Sequence, residues 1–128
     1  MDIEKVREYC LKKKYVSEGF PFDEDTLVFK VGGKIFCLLS LSPSHSINLK
    51  CDPEKAVELR EKYESVRPGY HMNKNHWNTI MLDKSIHEKI IKEWIDHSYD
   101  LVFNSLPQKT RIQLKECKST SNNKNTNS

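Results

Sequence analysis

Apolar positions change period several times along the chain, and each change marks an element. Ile3, Val6, Cys10 and Leu11 recur at helical spacing, with Glu4, Lys5, Glu8 and Lys12 elsewhere on the wheel, so residues 2–14 predict an amphipathic helix. Asp2 is placed to cap it. Ser17-Glu18-Gly19-Phe20-Pro21-Phe22-Asp23 reads as a loop, because Gly and Pro interrupt regular structure. From Leu27 the period becomes two. Leu27, Phe29 and Val31 alternate with Val28 and Lys30, and Gly32-Gly33 supplies a turn that tolerates positive φ. Residues 34–41 resume as a strand, apolar from Ile35 to Leu39, as a strand covered on both faces would be. Ile47, Leu49 and Cys51 then alternate with Ser46, Asn48 and Lys50, predicting a third strand over 46–51. Three strands joined by short turns predict an antiparallel meander.

The second half changes period again. Asp52-Pro53-Glu54 is a helix start, and Ala56, Val57, Leu59 and Tyr63 form an apolar stripe over residues 53–64. Pro68-Gly69 stops that pattern. Residues 69–72 and 76–82 read as two strands around Asn73-Lys74-Asn75, since Asn accepts the left-handed geometry of a tight loop. In that register Met72 faces His76, His71 faces Trp77 and Tyr70 faces Asn78. One face carries Tyr70, Met72, His76, Asn78, Ile80 and Leu82, and the other His71, Trp77, Thr79 and Met81. The first is more aliphatic and is expected to turn toward the core.

Ser85-Ile86-His87-Glu88 has the form of a capping box. It opens a predicted helix over 86–103, with Ile86, Ile90, Ile91, Trp94, Ile95, Tyr99 and Val102 on one broad face. Leu106-Pro107 breaks it, and residues 108–115 add a short terminal helix. The run from Cys117 is Lys, Ser, Thr and Asn, too polar to offset its ordering entropy. The expected organisation is one domain, residues 1–115, and a disordered polar tail, residues 116–128. The fold class is α+β, an antiparallel sheet packed against helices.

Composition narrows the class. The 128 residues are 37% hydrophobic and 30% charged, which suits a single polar globular domain. No apolar run approaches the roughly 20 residues that span a bilayer, so no membrane partner is expected. The start, Met1-Asp2-Ile3-Glu4-Lys5, lacks the basic and then apolar stretch of a signal peptide, and a cytoplasmic location is expected. Cysteines stand at 10, 37, 51 and 117 with no Cys-x-x-Cys pair, which predicts reduced thiols and no zinc site. The net charge of +3 is mild. Its distribution matters more, because no acidic residue lies between Glu64 and Asp83, a window that holds Arg67, His71, Lys74 and His76.

The run Pro68-Gly69-Tyr70-His71-Met72-Asn73-Lys74-Asn75-His76-Trp77-Asn78-Thr79 resembles the signature of the MmcQ/YjbR family. Phe20-Pro21-Phe22-Asp23, Gly33-Lys34-Ile35-Phe36, Ser98-Tyr99-Asp100-Leu101-Val102 and Leu106-Pro107 are similar to its flanking segments, so the resemblance covers residues 1–114. It implies a compact α+β fold of the CyaY/frataxin-like, double-wing type, and DNA binding by analogy to that arrangement. It carries over no catalytic residue.

The candidate site is a basic and aromatic hairpin patch made of Arg67, Tyr70, His71, Lys74, His76, Trp77 and Asn78. Arg and Lys neutralise phosphates, and an exposed aromatic stacks on a base. The competing account is a half-buried Trp77 that holds the hairpin together. DNA is the partner this patch names; the alternative is an unknown protein or small ligand on the same surface, in a largely apolar concavity beside Trp77. His71 and His76 fall on opposite faces in this register, and the first helix mixes Glu4 and Glu8 with several Lys and Arg, so no metal site is expected. No nucleophile elbow, phosphate loop or dinucleotide fingerprint is present, and no carboxylate in the window orients a histidine. Neither enzymatic activity nor a cofactor is expected.

Overall fold

The computed structural model describes residues 1–69 and 72–124, with side chains as far as residue 116. Helix α1 (Ile3–Leu11) begins where the Asp2 carboxylate accepts from Lys5 N at 2.9 Å. Tyr15 then adopts φ of 66°, unusual for a bulky side chain. The turn is held by aromatic contacts. The Tyr15 ring stacks on Phe103, Phe103 stacks on Tyr99, and the Tyr99 hydroxyl donates to Lys14 O at 2.5 Å.

That turn feeds β1 (Val16–Gly19), where the sequence predicts a loop. A four-residue edge strand with one β-branched residue gives too little alternation to show. Its order comes from β2 (Thr26–Val31), with Val16 opposite Val31 and Gly19 opposite Val28. The predicted meander continues through β3 (Lys34–Ser40) and β4 (Ser46–Lys50). At the β2–β3 turn Gly32 has φ of 60°, and a Cβ there would stand 2.6 Å from the Leu106 side chain, so both geometry and space require glycine.

After α2 (Pro53–Lys62) come β5 (Val66–Pro68) and β6 (Trp77–Met81), then α3 (Glu88–Ser105) and α4 (Gln108–Lys124). The six strands form one antiparallel sheet in the order β1-β2-β3-β4-β6-β5. Strand β6 therefore pairs with β4 as well as with β5. The expected tail, residues 116–128, begins inside α4, whose backbone runs nine residues past the predicted helix end at 115 to Lys124; residues 125–128 and the side chains of 117–124 lie outside the described residues.

One face of the sheet holds the main core. Phe29, Phe36, Leu39, Ile47 and Ile80 are buried there against Val6 and Cys10 of α1 and Ile91, Trp94, Ile95 and Val102 of α3. Each such side chain contributes about 1.5–3 kcal/mol of burial. Ala56 of α2 is buried and Leu59 is half-buried, but Val57, expected in the apolar stripe, is 45% exposed. Ser98 completes the packing polarly. Its hydroxyl accepts from Lys50 N at 2.9 Å and donates to Phe36 O at 2.5 Å. The β3–β4 ladder ends at the pair Cys37 and Leu49, so Ser98 occupies the place of the next rung.

Two expectations need correction. The predicted capping box does not form: α3 starts at Glu88, and His87 Nδ1 accepts from Lys89 N at 3.0 Å. Ser85 is drawn away, because its hydroxyl donates to Asp83 Oδ1 at 2.6 Å and meets Ser65 Oγ at 2.7 Å. The predicted hairpin is also displaced. Strand β5 ends at Pro68, and Asn78 pairs with Pro68 rather than with Tyr70. Met72 N and Asn73 N both donate to Gly69 O, while His76 N and Trp77 N both donate to Asn73 O. These turns consume the main-chain groups that a longer ladder would need.

Candidate nucleic-acid interface

Side chains alternate along each strand, so the neighbours of core residues point to the opposite face of the sheet. On that outer face lie Lys30 between Phe29 and Val31, Lys50 after Leu49, and Arg67 after Val66. Helices α1, α2 and α3 all pack on the other side. The outer face carries its own small cluster: Val28, Leu38 and Trp77 are buried, with Ile35 and Met72 packed on them. Thr79 Oγ1 donates to Asn48 Oδ1 at 2.6 Å beside it.

The six strands contain one carboxylate, Glu18. It faces α1 instead, where both of its oxygens accept from Arg7 at 2.8 and 2.7 Å. Lys30, Lys50, Arg67 and Lys74 form no ion pair among the described residues. Lys30 to Lys50 is two strands, about 10 Å, and Lys50 to Arg67 is two more. The acidic turn Asp23-Glu24-Asp25 precedes Thr26, at the other end of β2 from Lys30.

The residues named from sequence fare differently. Arg67 is exposed, in a polar hollow with Lys62, Ser65 and two carboxylates, Glu64 and Asp83. Lys74 and His76 are exposed in the β5–β6 connection, so His76 does not face the core as the predicted register had it. Met72 likewise belongs to the outer cluster beside Trp77. Trp77 lies on the face opposite Ile80, as expected, but it is only 8% exposed. An open stacking platform is therefore not what this ring provides. Gly69 explains part of the closure: a Cβ there would come within 2.9 Å of Trp77 Cβ. Asn78 is buried on the core side, its Nδ2 donating to Ala56 O at 3.3 Å. Tyr70 and His71 lie outside the described residues.

Two features were not foreseen. Arg60 of α2 donates from Nη1 to Lys74 O at 2.7 Å, which fixes the connection at its tip. The sequence shows Lys30 and Lys50 only as the polar half of an alternation, and the β4–β6 pairing is what sets Lys50 opposite Trp77.

Several other ionisable groups are shifted by their surroundings. Burial pushes the Cys51 thiol up to about 11, and a hydrogen bond with Cys10 followed by burial raises Cys37 well above an ordinary thiol. Both therefore stay protonated at neutral pH. His97 titrates lower than usual through burial and then the nearby Lys55. No three His, Cys, Asp or Glu gather as a metal site would require among the described residues. No helix there is long and apolar enough to cross a membrane.

Comparison with known proteins decides the kinship. Residues 11–101 match the family model described as YjbR. The chain belongs to the YjbR family. It is 36% identical over 113 residues to the uncharacterized protein YbdF of Escherichia coli O157:H7, covering 88% of this chain and 93% of that one. It is 32% identical over 115 residues to the uncharacterized protein YjbR of Escherichia coli strain K12, covering 89% and 98%. Among solved structures, Deinococcus radiodurans protein DR2400 superposes with a TM-score of 0.82 at 36% identity, over 88% of this chain and 87% of that one. A Pseudomonas syringae protein follows with a TM-score of 0.71 at 29% identity, over 80% and 99%. The YjbR match ends at residue 101, so it includes the whole sheet and most of α3.

Proposed function

We propose that this YjbR-family protein binds nucleic acid, with DNA as the first candidate, through the outer face of its sheet. One observation carries the reading: Lys30, Lys50 and Arg67 cross that face with no strand carboxylate among them and no ion pair among the described residues. Phosphates are recognised by such unpaired cations, and their contacts position a duplex without reading its sequence. Lys74, held out by Arg60, extends the surface. Trp77 serves as the floor that keeps these strands in place rather than as a stacking group. The action proposed is binding without catalysis, in the cytoplasm.

The test is a titration of duplex and single-stranded DNA at several salt concentrations. Binding should weaken steeply with salt, and the combined change K30A/K50A/R67A should reduce the log–log slope by about 3. Single-stranded DNA should show no stacking-dependent preference lost in W77F. If the unmodified chain has no salt-dependent affinity for either form, the reading fails. A protein or small ligand then takes the place of DNA.

A further inference from the structure

The Phe20-Pro21-Phe22 segment plays no part in the interface above, yet Phe20 and Phe22 are 50% and 63% exposed. Phe20 stands at the mouth of a cleft of about 480 Å³ between α1 and the ends of β1, β2 and β3. That volume is within the range of small-molecule sites. Leu27 and Leu39 form its floor, and Ile3 and Leu41 its walls. The cleft opens on the helix-covered side, far from Lys50 and Arg67, while Phe20 at its rim also borders a hollow that holds Val28 and Lys30.

Its rim carries Glu4, Arg7 and Glu18. Arg7 and Glu18 cancel each other through two hydrogen bonds at 2.8 and 2.7 Å. Glu4 makes no ion pair among the described residues. The rim therefore keeps one uncompensated negative charge above an apolar floor.

We infer that this cleft binds a small apolar amine, its hydrocarbon body on Leu27 and Leu39 and its ammonium group beside Glu4. A carboxylate or phosphate ligand is disfavoured. It would face two carboxylates, and it could engage the Arg7 fork only by displacing Glu18. The half-exposed Phe20 ring adds to the preference, since a ligand cation is attracted to an aromatic face and the ligand's body covers the ring.

The experiment is an amide-resolved NMR titration of the full chain with n-octylamine, n-octanol and octanoate, each below its aggregation concentration. Octylamine should shift the amides of Ile3, Gly19 and Leu41 and bind best, octanol should follow, and octanoate should not bind. E4Q should bring octylamine down to the level of octanol, a loss of about fivefold for an exposed charge pair. L41K, checked by its thermal melt, should weaken both octylamine and octanol by about tenfold or more. Octanoate binding as tightly as octylamine, shifts confined to other residues, or an amine preference that survives E4Q would each overturn the proposal. The unmodified chain alone supplies two of these outcomes, so an unfolded L41K leaves the test intact. A failed DNA titration leaves this one untouched, because the two sites share no residue.

Discussion

On its helix-covered face the sheet buries Phe29, Phe36, Leu39 and Ile47 with members of α1 and α3, whereas among the described residues its other face closes Val28, Leu38 and Trp77 under Ile35 and Met72. The same strands build both. On the first face almost every position serves packing; on the second the apolar cluster is short, and the neighbouring positions carry Lys30, Lys50 and Arg67. Alternation along the strands separates the packed side chains from Lys30, Lys50 and Arg67, except at the β2–β3 irregularity, where the neighbours Phe36 and Cys37 both join the packed face.

The sharpest way to break that division is to remove one large ring from each face. F36A should cost about 3–5 kcal/mol in urea unfolding, because its cavity is enclosed by helices. W77A should cost less, about 2–3 kcal/mol, since a cluster at the surface relaxes more easily than a helix-covered core. Equal losses would show that the outer cluster is a second core in its own right. S98A probes the boundary between strands on the packed face. It strips Phe36 O and Lys50 N of their shared partner, and a loss of about 2–3 kcal/mol is expected, with faster hydrogen exchange at the Lys50 amide.

Acid titration examines the β5–β6 end, where the two faces meet. Asp83 is lowered from an ordinary 3.8 to about 2, first by the Ser65 hydroxyl and then by Ser85. A carboxyl with a depressed folded pKa stabilises the fold fully above its unfolded value. Its contribution is therefore complete above about pH 4 and disappears as the pH falls toward 2. D83N should flatten that part of the stability profile, and an unchanged acid limb would remove Asp83 from the account. The smallest effect belongs to the outer face itself: K30A and K50A should each leave stability within about 0.5 kcal/mol, while both weaken DNA binding.

Much of this molecule was legible as pattern. The meander from Thr26 to Lys50 follows from alternation around Gly32-Gly33, and α3 follows from its long apolar stripe. What escaped depends on contacts between distant segments. Val16–Gly19 becomes a strand only because β2 offers it an edge. The β5–β6 register brings Gly69 against Trp77, where a Cβ would not fit, and local propensity does not express that contact. For the site, the sequence puts Arg67, Lys74 and Trp77 in one patch, sets Trp77 on the face opposite Ile80 and offers its burial as the competing account, but expects its cover, Met72, on the other face. The apolar cleft was invisible, since its lining comes from α1, the segment after β1, and β2 and β3 together.

Arg60 grips Lys74 by its main-chain oxygen and makes no demand on the side chain. Every amino acid has that oxygen, so the loop tip is a fixed mount with an exchangeable head. Evolution can swap the charge or size displayed at position 74 without disturbing where it is displayed.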